Sequence, residues 1–210
     1  MADPTTPAPR PLTERRKAQT QFEIARRAAE LFARRGTSGV TAEDIAGAAG
    51  IGLRTFYRYF RTKEEAVTPL LTIGVAGWLA DLAATPAGTP AARALEDTAR
   101  RALTRADPGE LDSLRLGRDL LRAVPGDAAL ESVWFRVVHN TEESLVRILG
   151  DLMGPDADPL EVRLTAVAGN TAMRLALQTW AGTGDGPGDA GTPADIAARC
   201  IRTLTAGLTA

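Results

Sequence analysis

The sequence predicts an all-α fold of about nine helices. Apolar residues recur at three- and four-residue spacings along most of the chain, which is the period of an α-helix. Alanine, leucine and arginine are abundant while aromatic residues make up only 5% of the 210 positions, a composition that favours helix over strand. Capping signals stand where helices should open: Thr41 with Asp44, Thr62 with Glu65, Thr89 before Pro90 and Thr192 before Pro193. No strand-like alternation persists, and there is no internal repeat.

Residues 1–12 contain Pro4, Pro7, Pro9 and Pro11 and read as a disordered or extended tail. Arg10, Arg15, Arg16 and Lys17 make a basic run there. Such a run fits an arm lying along DNA phosphates or entering the minor groove, and equally a solvated charge cluster. From Arg15 to Arg35 the residues Ile24, Ala28, Leu31 and Phe32 fall on one helical side, and Gly36 stops that helix.

The stretch Thr41 to Lys63, TAEDIAGAAGIGLRTFYRYFRTK, carries the most information. Thr41 and Asp44 have capping-box spacing, and Val40 with Ile45 suits a hydrophobic staple. Gly50 supplies the left-handed residue that ends a helix. A second short helix starts near Leu53, so the pair reads as a helix–turn–helix. On the second helix Phe56 and Phe60 share one side, Arg54 and Arg58 fall opposite, Thr55 lies beside the arginines, and Tyr57 and Tyr59 take the flanks. Arginine reads guanine edges bidentately, and tyrosine or threonine hydroxyls bond phosphate. An ordinary amphipathic surface helix would show the same two sides.

Thr62 and Glu65 open a fourth helix expected to run to about Leu82, bent or divided by Pro69. Lys63 lies in its first turn, where a helix N-terminus favours anions. Further helices are expected over Thr89–Arg105, Gly109–Ala123, Ala128–Leu152 and Pro159–Trp180. A glycine-rich loop over 181–191 and a last helix from Thr192-Pro193 to about Leu208 follow.

Charge and rare residues narrow the function. Residues 1–65 hold 12 basic and 8 acidic side chains, and residues 66–210 hold 13 and 18. A basic N-terminal part on an acidic remainder fits nucleic-acid binding at one end. Cys200 and His139 are the single cysteine and single histidine. They leave no intrachain disulfide, no cysteine or multi-histidine zinc site, and almost no acyl-transfer machinery. The glycines of 182–191 follow no strand and make no dinucleotide fingerprint. An enzyme is therefore disfavoured and no cofactor is expected. No signal peptide or membrane-spanning run is visible, which suits a cytoplasmic protein.

The stretch from about Thr20 to Ala66 resembles the DNA-binding domain of the tetracycline-repressor (TetR) family of transcriptional regulators. The matching residues are Ala28-Ala29-Glu30-Leu31-Phe32, Gly36, Val40-Thr41, Asp44-Ile45-Ala46, Ala49-Gly50-Ile51, Thr55-Phe56-Tyr57-Arg58-Tyr59-Phe60 and Thr62-Lys63-Glu64. Thr37 and Gly52 depart from the pattern, where an aromatic residue and a capping serine are usual. The resemblance implies a DNA-binding domain over 13–62 and an effector-binding and dimerisation domain over 63–210. Arg54, Thr55 and Arg58, on a helix opened by Leu53, would meet base edges. Thr41, Tyr57, Tyr59 and Lys63 would meet phosphates.

The resemblance also implies a homodimer through the last two helices, on which Ile196, Cys200, Ile201, Leu204, Leu208, Ala166, Val167, Leu175 and Leu177 are the candidate contacts. The form RTFYRYFRTKEEAV, and Leu175-Ala176-Leu177 to Trp180 before the final loop and helix, resemble the subgroup with an acyl-CoA-like ligand-binding domain, including mycofactocin-type regulators. A small effector, acyl-CoA-like or another hydrophobic metabolite, would thus regulate operator binding. Large or polar residues set in apolar stripes are the pocket candidates: Trp78, Leu114, Arg118, Trp134, Phe135, Val138, His139, Asn170 and Arg174. Each also suits plain core or surface. A constitutive DNA-binding protein without an effector is the alternative.

Overall fold

The computed structural model describes residues 12–104, 111–182 and 191–207, and among these it contains helices, turns and bends but no strand. Ten α-helices follow in order: α1 Leu12–Arg35, α2 Ala42–Ala48, α3 Leu53–Tyr59, α4 Thr68–Leu71, α5 Val75–Ala83, α6 Ala91–Thr104, α7 Leu111–Ala123, α8 Ala128–Met153, α9 Pro159–Gly182 and α10 Pro193–Thr205. The chain divides into two compact units, Met1–Pro69 and Leu70–Ala210.

Two details depart from the sequence reading. Leu12 opens α1 rather than ending a tail; the remainder of that tail, residues 1–11, lies outside the described residues. The expected fourth helix is three pieces: a 3₁₀ turn over Glu64–Val67, then α4, then α5. Pro69 is tolerated in the first turn of α4, where its missing N–H costs nothing. The break falls instead at Gly74, whose φ of 78° is left-handed. Ala66 and Val67 of the 3₁₀ turn are buried in the first unit, where that turn packs against α1.

In the first unit α1 buries Ile24, Ala25, Ala28, Ala29 and Phe32, and α2 buries Ile45 and Ala46. Phe56 and Phe60 complete this small core, their rings 5.7 Å apart. Burying each phenylalanine is worth about 1.5–3 kcal/mol.

The second unit is built on α6, α8, α9 and α10. Its core gathers Trp78, Leu82, Leu95, Leu145, Leu149, Met173 and Ile201. The indole Nε1 of Trp78 donates to Thr98 Oγ1 at 3.1 Å, and that hydroxyl donates to the Ala94 carbonyl at 2.7 Å. The only strongly polar part of Trp78 is thereby satisfied inside the core. On α9 the buried residues are mostly small: Ala166, Ala168, Gly169, Ala172 and Ala176. They let α6 approach closely. A methyl group added at Gly169 would come within 2.8 Å of Leu95 Cδ2. α10 is fastened by a capping box, Thr192 with Asp195. Ion pairs join it to α6: Arg100 to Asp195 at 3.3 Å, and Arg202 to Glu96. Among the described residues no single helix is long and apolar enough to cross a membrane.

The packing at Gly169 sets a test. Gly169→Val should destabilise the protein by about 1–3 kcal/mol through overpacking against the buried Leu95. Gly77→Ala, with nothing within 4 Å of the new methyl, should stabilise it by about 0.5–1 kcal/mol through the helix-propensity gain alone. Denaturant midpoints of the two variants check both signs.

Candidate nucleic-acid interface

The cap of α2 sets the entry to the site. Thr41 Oγ1 accepts from the Asp44 N–H at 3.1 Å, while Asp44 Oδ2 accepts from the Thr41 N–H and from its hydroxyl, both at 2.8 Å. Arg35, on the last turn of α1, pairs with Asp44 Oδ1 at 3.5 Å. The Thr41 backbone N–H holds the Asp44 carboxyl below its ordinary value of 3.8, with help from the Thr41 hydroxyl and Arg35. Val40 and Ile45 are both buried, as a staple requires.

The corner after α2 is closed by backbone. Ile51 N–H donates to Ala46 C=O at 2.9 Å and Gly50 N–H to Gly47 C=O at 3.1 Å. This Schellman arrangement needs Gly50 in the left-handed region, where its φ is 67°. Gly52 caps α3 with extended backbone and no side-chain bond. Its carbonyl accepts from the N–H groups of Thr55 and Phe56 at 2.8 and 3.0 Å.

α3 then divides as its periodicity requires. Phe56 is wholly buried, and Tyr57 stands edge-on to it at 5.5 Å while remaining 54% exposed. Arg54 and Arg58 are exposed; Leu53, Thr55 and Tyr59 are half-buried. The Arg58 guanidinium lies 5.4 Å from the centre of the Tyr59 ring, which limits its freedom before any partner arrives. Lys63 sits apart from this outward set. It is half-buried, and its Nζ donates to the carbonyls of Thr37 and Val40.

The nine pocket candidates all belong to the second unit, and their surroundings differ. Trp78 and Trp134 are core residues. Asn170 is buried and its Nδ2 donates to the Val138 carbonyl at 2.9 Å, tying α9 to α8. Arg174 is half-buried and bonds Gln178 at 2.9 Å. The Arg118 guanidinium lies over the Trp180 ring at 5.1 Å, linking α7 to the end of α9. Phe135 is 60% exposed and His139 is exposed one turn further on. The side chain of Leu114 lies outside the described residues. Among the described residues, clefts lie elsewhere in the second unit. One, of about 390 Å³, is lined by Asp81, Thr85, Thr89, Asp97, Thr98 and Arg101 among others. Another, of about 480 Å³, is lined by Ala91, Leu152, Met153 and Glu161 among others. None of the nine lines either one. Among the described residues no group of three or more His, Cys, Asp and Glu side chains could hold a metal ion.

Exposure also sorts the candidate dimer contacts. Ile196, Ile201 and Ala166 are buried within the single chain; Cys200 and Leu177 are half-buried. Val167, Leu175 and Leu204 are exposed, and so are Leu160 and Leu164, which the sequence reading did not select. Leu160, Leu164, Val167 and Leu175 form one stripe of α9 at helical spacing. Counting that period from Leu160 rather than from Ala166 would have found it. Leu208 lies outside the described residues.

A short helix with its aromatic side buried and its arginines outward, held by a glycine corner behind a capped partner helix, defines a helix–turn–helix DNA-binding protein. Residues 24–67 match the family described as bacterial regulatory proteins, tetR family. Over 157 residues, 73% of this chain and 69% of the relative, it is 34% identical to TcmR, an HTH-type transcriptional regulator of Streptomyces glaucescens. The chain belongs to the TetR family of transcriptional regulators, which are DNA-binding proteins and not enzymes. A stretch of 50 residues, 24% of this chain and 25% of the relative, is 47% identical to MftR of Mycobacterium tuberculosis, a candidate mycofactocin biosynthesis transcriptional regulator. Among solved structures, FadR of Thermus thermophilus, a TetR-family repressor in complex with lauroyl-CoA, shares the fold. Its TM-score is 0.51 at 21% identity, over 90% of this chain and 95% of that one.

The Asp44 cap makes the first unit sensitive to acid. A carboxyl whose folded value is lowered contributes stability that is complete above 3.8 and lost as pH falls through the lowered value. As pH falls to and below that ordinary value of 3.8 the full chain should therefore lose stability in the unit that holds α2. Asp44→Asn should be less stable near neutrality and should show a smaller loss over that range. Urea midpoints followed by circular dichroism across the pH series check this.

Proposed function

We propose that the protein is a ligand-responsive repressor that binds a palindromic operator as a homodimer and is released by a small, largely apolar effector. One observation carries the DNA half of this reading: α3 spends Phe56 and Phe60 on the core and turns Arg54, Tyr57 and Arg58 outward. Arg54 and Arg58, with Thr55 between them, are assigned to base edges in the major groove, and Tyr57 and Tyr59 to phosphates.

Dimerisation follows from the size of the reader. Seven residues of α3 cover few base pairs, and a two-fold pair sets two such helices about 34–36 Å apart on one DNA face. The stripe of Leu160, Leu164, Val167 and Leu175 on α9 is an apolar surface left exposed among the described residues, and it supports a partner there. The effector half rests on the resemblance to the subgroup with an acyl-CoA-like ligand domain. It rests also on the size of the second unit, 141 of 210 residues, which exceeds what dimerisation alone needs. An effector lowers operator affinity only by its preference for the non-binding state, about 1–3 kcal/mol in typical cases.

Two measurements test these assignments. Arg54→Ala and Arg58→Ala should each weaken operator binding by about 1–3 kcal/mol and relax specificity at one position per half-site, with two chains bound per operator in the wild type. Unchanged affinity in both variants would refute the base-reading assignment. In the second measurement, tryptophan fluorescence from Trp78, Trp134 and Trp180 is titrated with acyl-CoAs and other hydrophobic metabolites. A binder should quench it and release operator DNA in a mobility-shift assay. If nothing in either class does both, constitutive DNA binding is the better account.

A further inference from the structure

Lys63 stands where the resemblance places a phosphate contact, yet its ammonium is already engaged. Nζ donates to the Thr37 and Val40 carbonyls at 2.7 Å each, and Glu64 Oε1 lies 3.7 Å away. An ammonium has three N–H groups. Two are spent on carbonyls, and the Glu64 carboxylate stands within ion-pair distance. The side chain is only 25% exposed. A phosphate would have to strip two short charge-assisted bonds and accept the neighbouring Glu64 as a repelling charge.

The two carbonyls belong to the turn that joins α1 to α2. Gly36 ends α1 in the left-handed region, its N–H bonded to the Phe32 carbonyl at 2.8 Å. Inside the turn Val40 N–H reaches the Thr37 carbonyl at 3.3 Å, a long bond. Lys63 reaches the same carbonyl from 26 residues away, just after α3. It thereby closes a ring of chain that contains α2, the glycine corner and α3. The near side of that ring is fastened separately, by Arg35 on Asp44.

The choice of side chain agrees. Of 25 basic residues in the chain only Lys17 and Lys63 are lysines. A compact ammonium with three rotatable donors suits two converging carbonyls, whereas the guanidinium fork is shaped for carboxylate and phosphate.

We propose that Lys63 is a positioning residue: it clamps the 37–40 turn to the segment after α3, sets the placement of the two reading helices, and makes no phosphate contact of its own. This rests on the DNA-binding reading above, but it is testable without it. Lysine acylation of the full wild-type chain, read by mass spectrometry, needs no variant. Lys63 should react at least about tenfold more slowly than the exposed Lys17 in the free protein, and adding operator DNA should leave its rate unchanged. A Lys63 that matches Lys17 in the free protein, or that is protected only when operator is added, overturns the proposal. The second arm uses Lys63→Met and the slope of log affinity against log salt. A clamp predicts weaker operator binding with the wild-type slope and unchanged affinity for unrelated duplex. A phosphate contact predicts a slope shallower by about 1 per chain and an equal loss on all DNA, which overturns it. If the DNA-binding reading itself fails, Arg54→Ala and Arg58→Ala are silent while the free-protein acylation rates still decide the role of Lys63.

Discussion

Phe56 has no exposed surface, and the first unit is arranged around that burial. α3 has only seven residues, too short to be stable by itself in water. What holds it is the aromatic side, Phe56 on Phe60, set against the buried residues of the unit. Because successive residues of a helix are 100° apart, seating positions 56 and 60 inward leaves 54 and 58 no choice but solvent. The outward surface proposed to read DNA is therefore a by-product of core packing. Any change that rotates α3 to relieve a badly filled core rotates Arg54 and Arg58 with it.

The same device fastens a helix in each unit. Thr41 with Asp44 opens α2, and Thr192 with Asp195 opens α10. In both, the acidic residue that completes the cap also receives an arginine from another helix, Arg35 in one case and Arg100 in the other. The Thr192 hydroxyl and N–H, with Arg100, hold the Asp195 carboxyl below its ordinary value, as Thr41 and Arg35 hold that of Asp44. One carboxylate thus satisfies local backbone donors and fixes a tertiary contact together. Exposed ion pairs are weak alone; coupling them to a cap gives them a fixed geometry.

The second unit solves a different problem. Its α9 carries small residues on the buried side and leucines on the open side. Small residues bring α6 close, with Leu95 seated over Gly169. The leucines take no part in that packing and stand exposed among the described residues. Their exposure is the observation on which the proposed dimer contact rests.

Much of this was legible in the amino-acid order. Helical period, caps and glycine stops determined the helices from α1 to α3 and from α6 to α10 to within a few residues, because those signals act over three or four positions. The two sides of α3 were legible for the same reason. Tertiary structure decided what depends on distant neighbours. It broke the expected fourth helix at Gly74 rather than at Pro69, since a proline in a first turn loses no hydrogen bond. It buried Ile196 and Ile201 and exposed Leu160 and Leu164, although all four are apolar residues at helical spacing. It sent Trp78 into the core against Thr98 and left Phe135 outside. It also turned Lys63 inward to carbonyls 23 and 26 residues back. Periodicity says which residues share a side of a helix; only the packing of other helices says which side is closed.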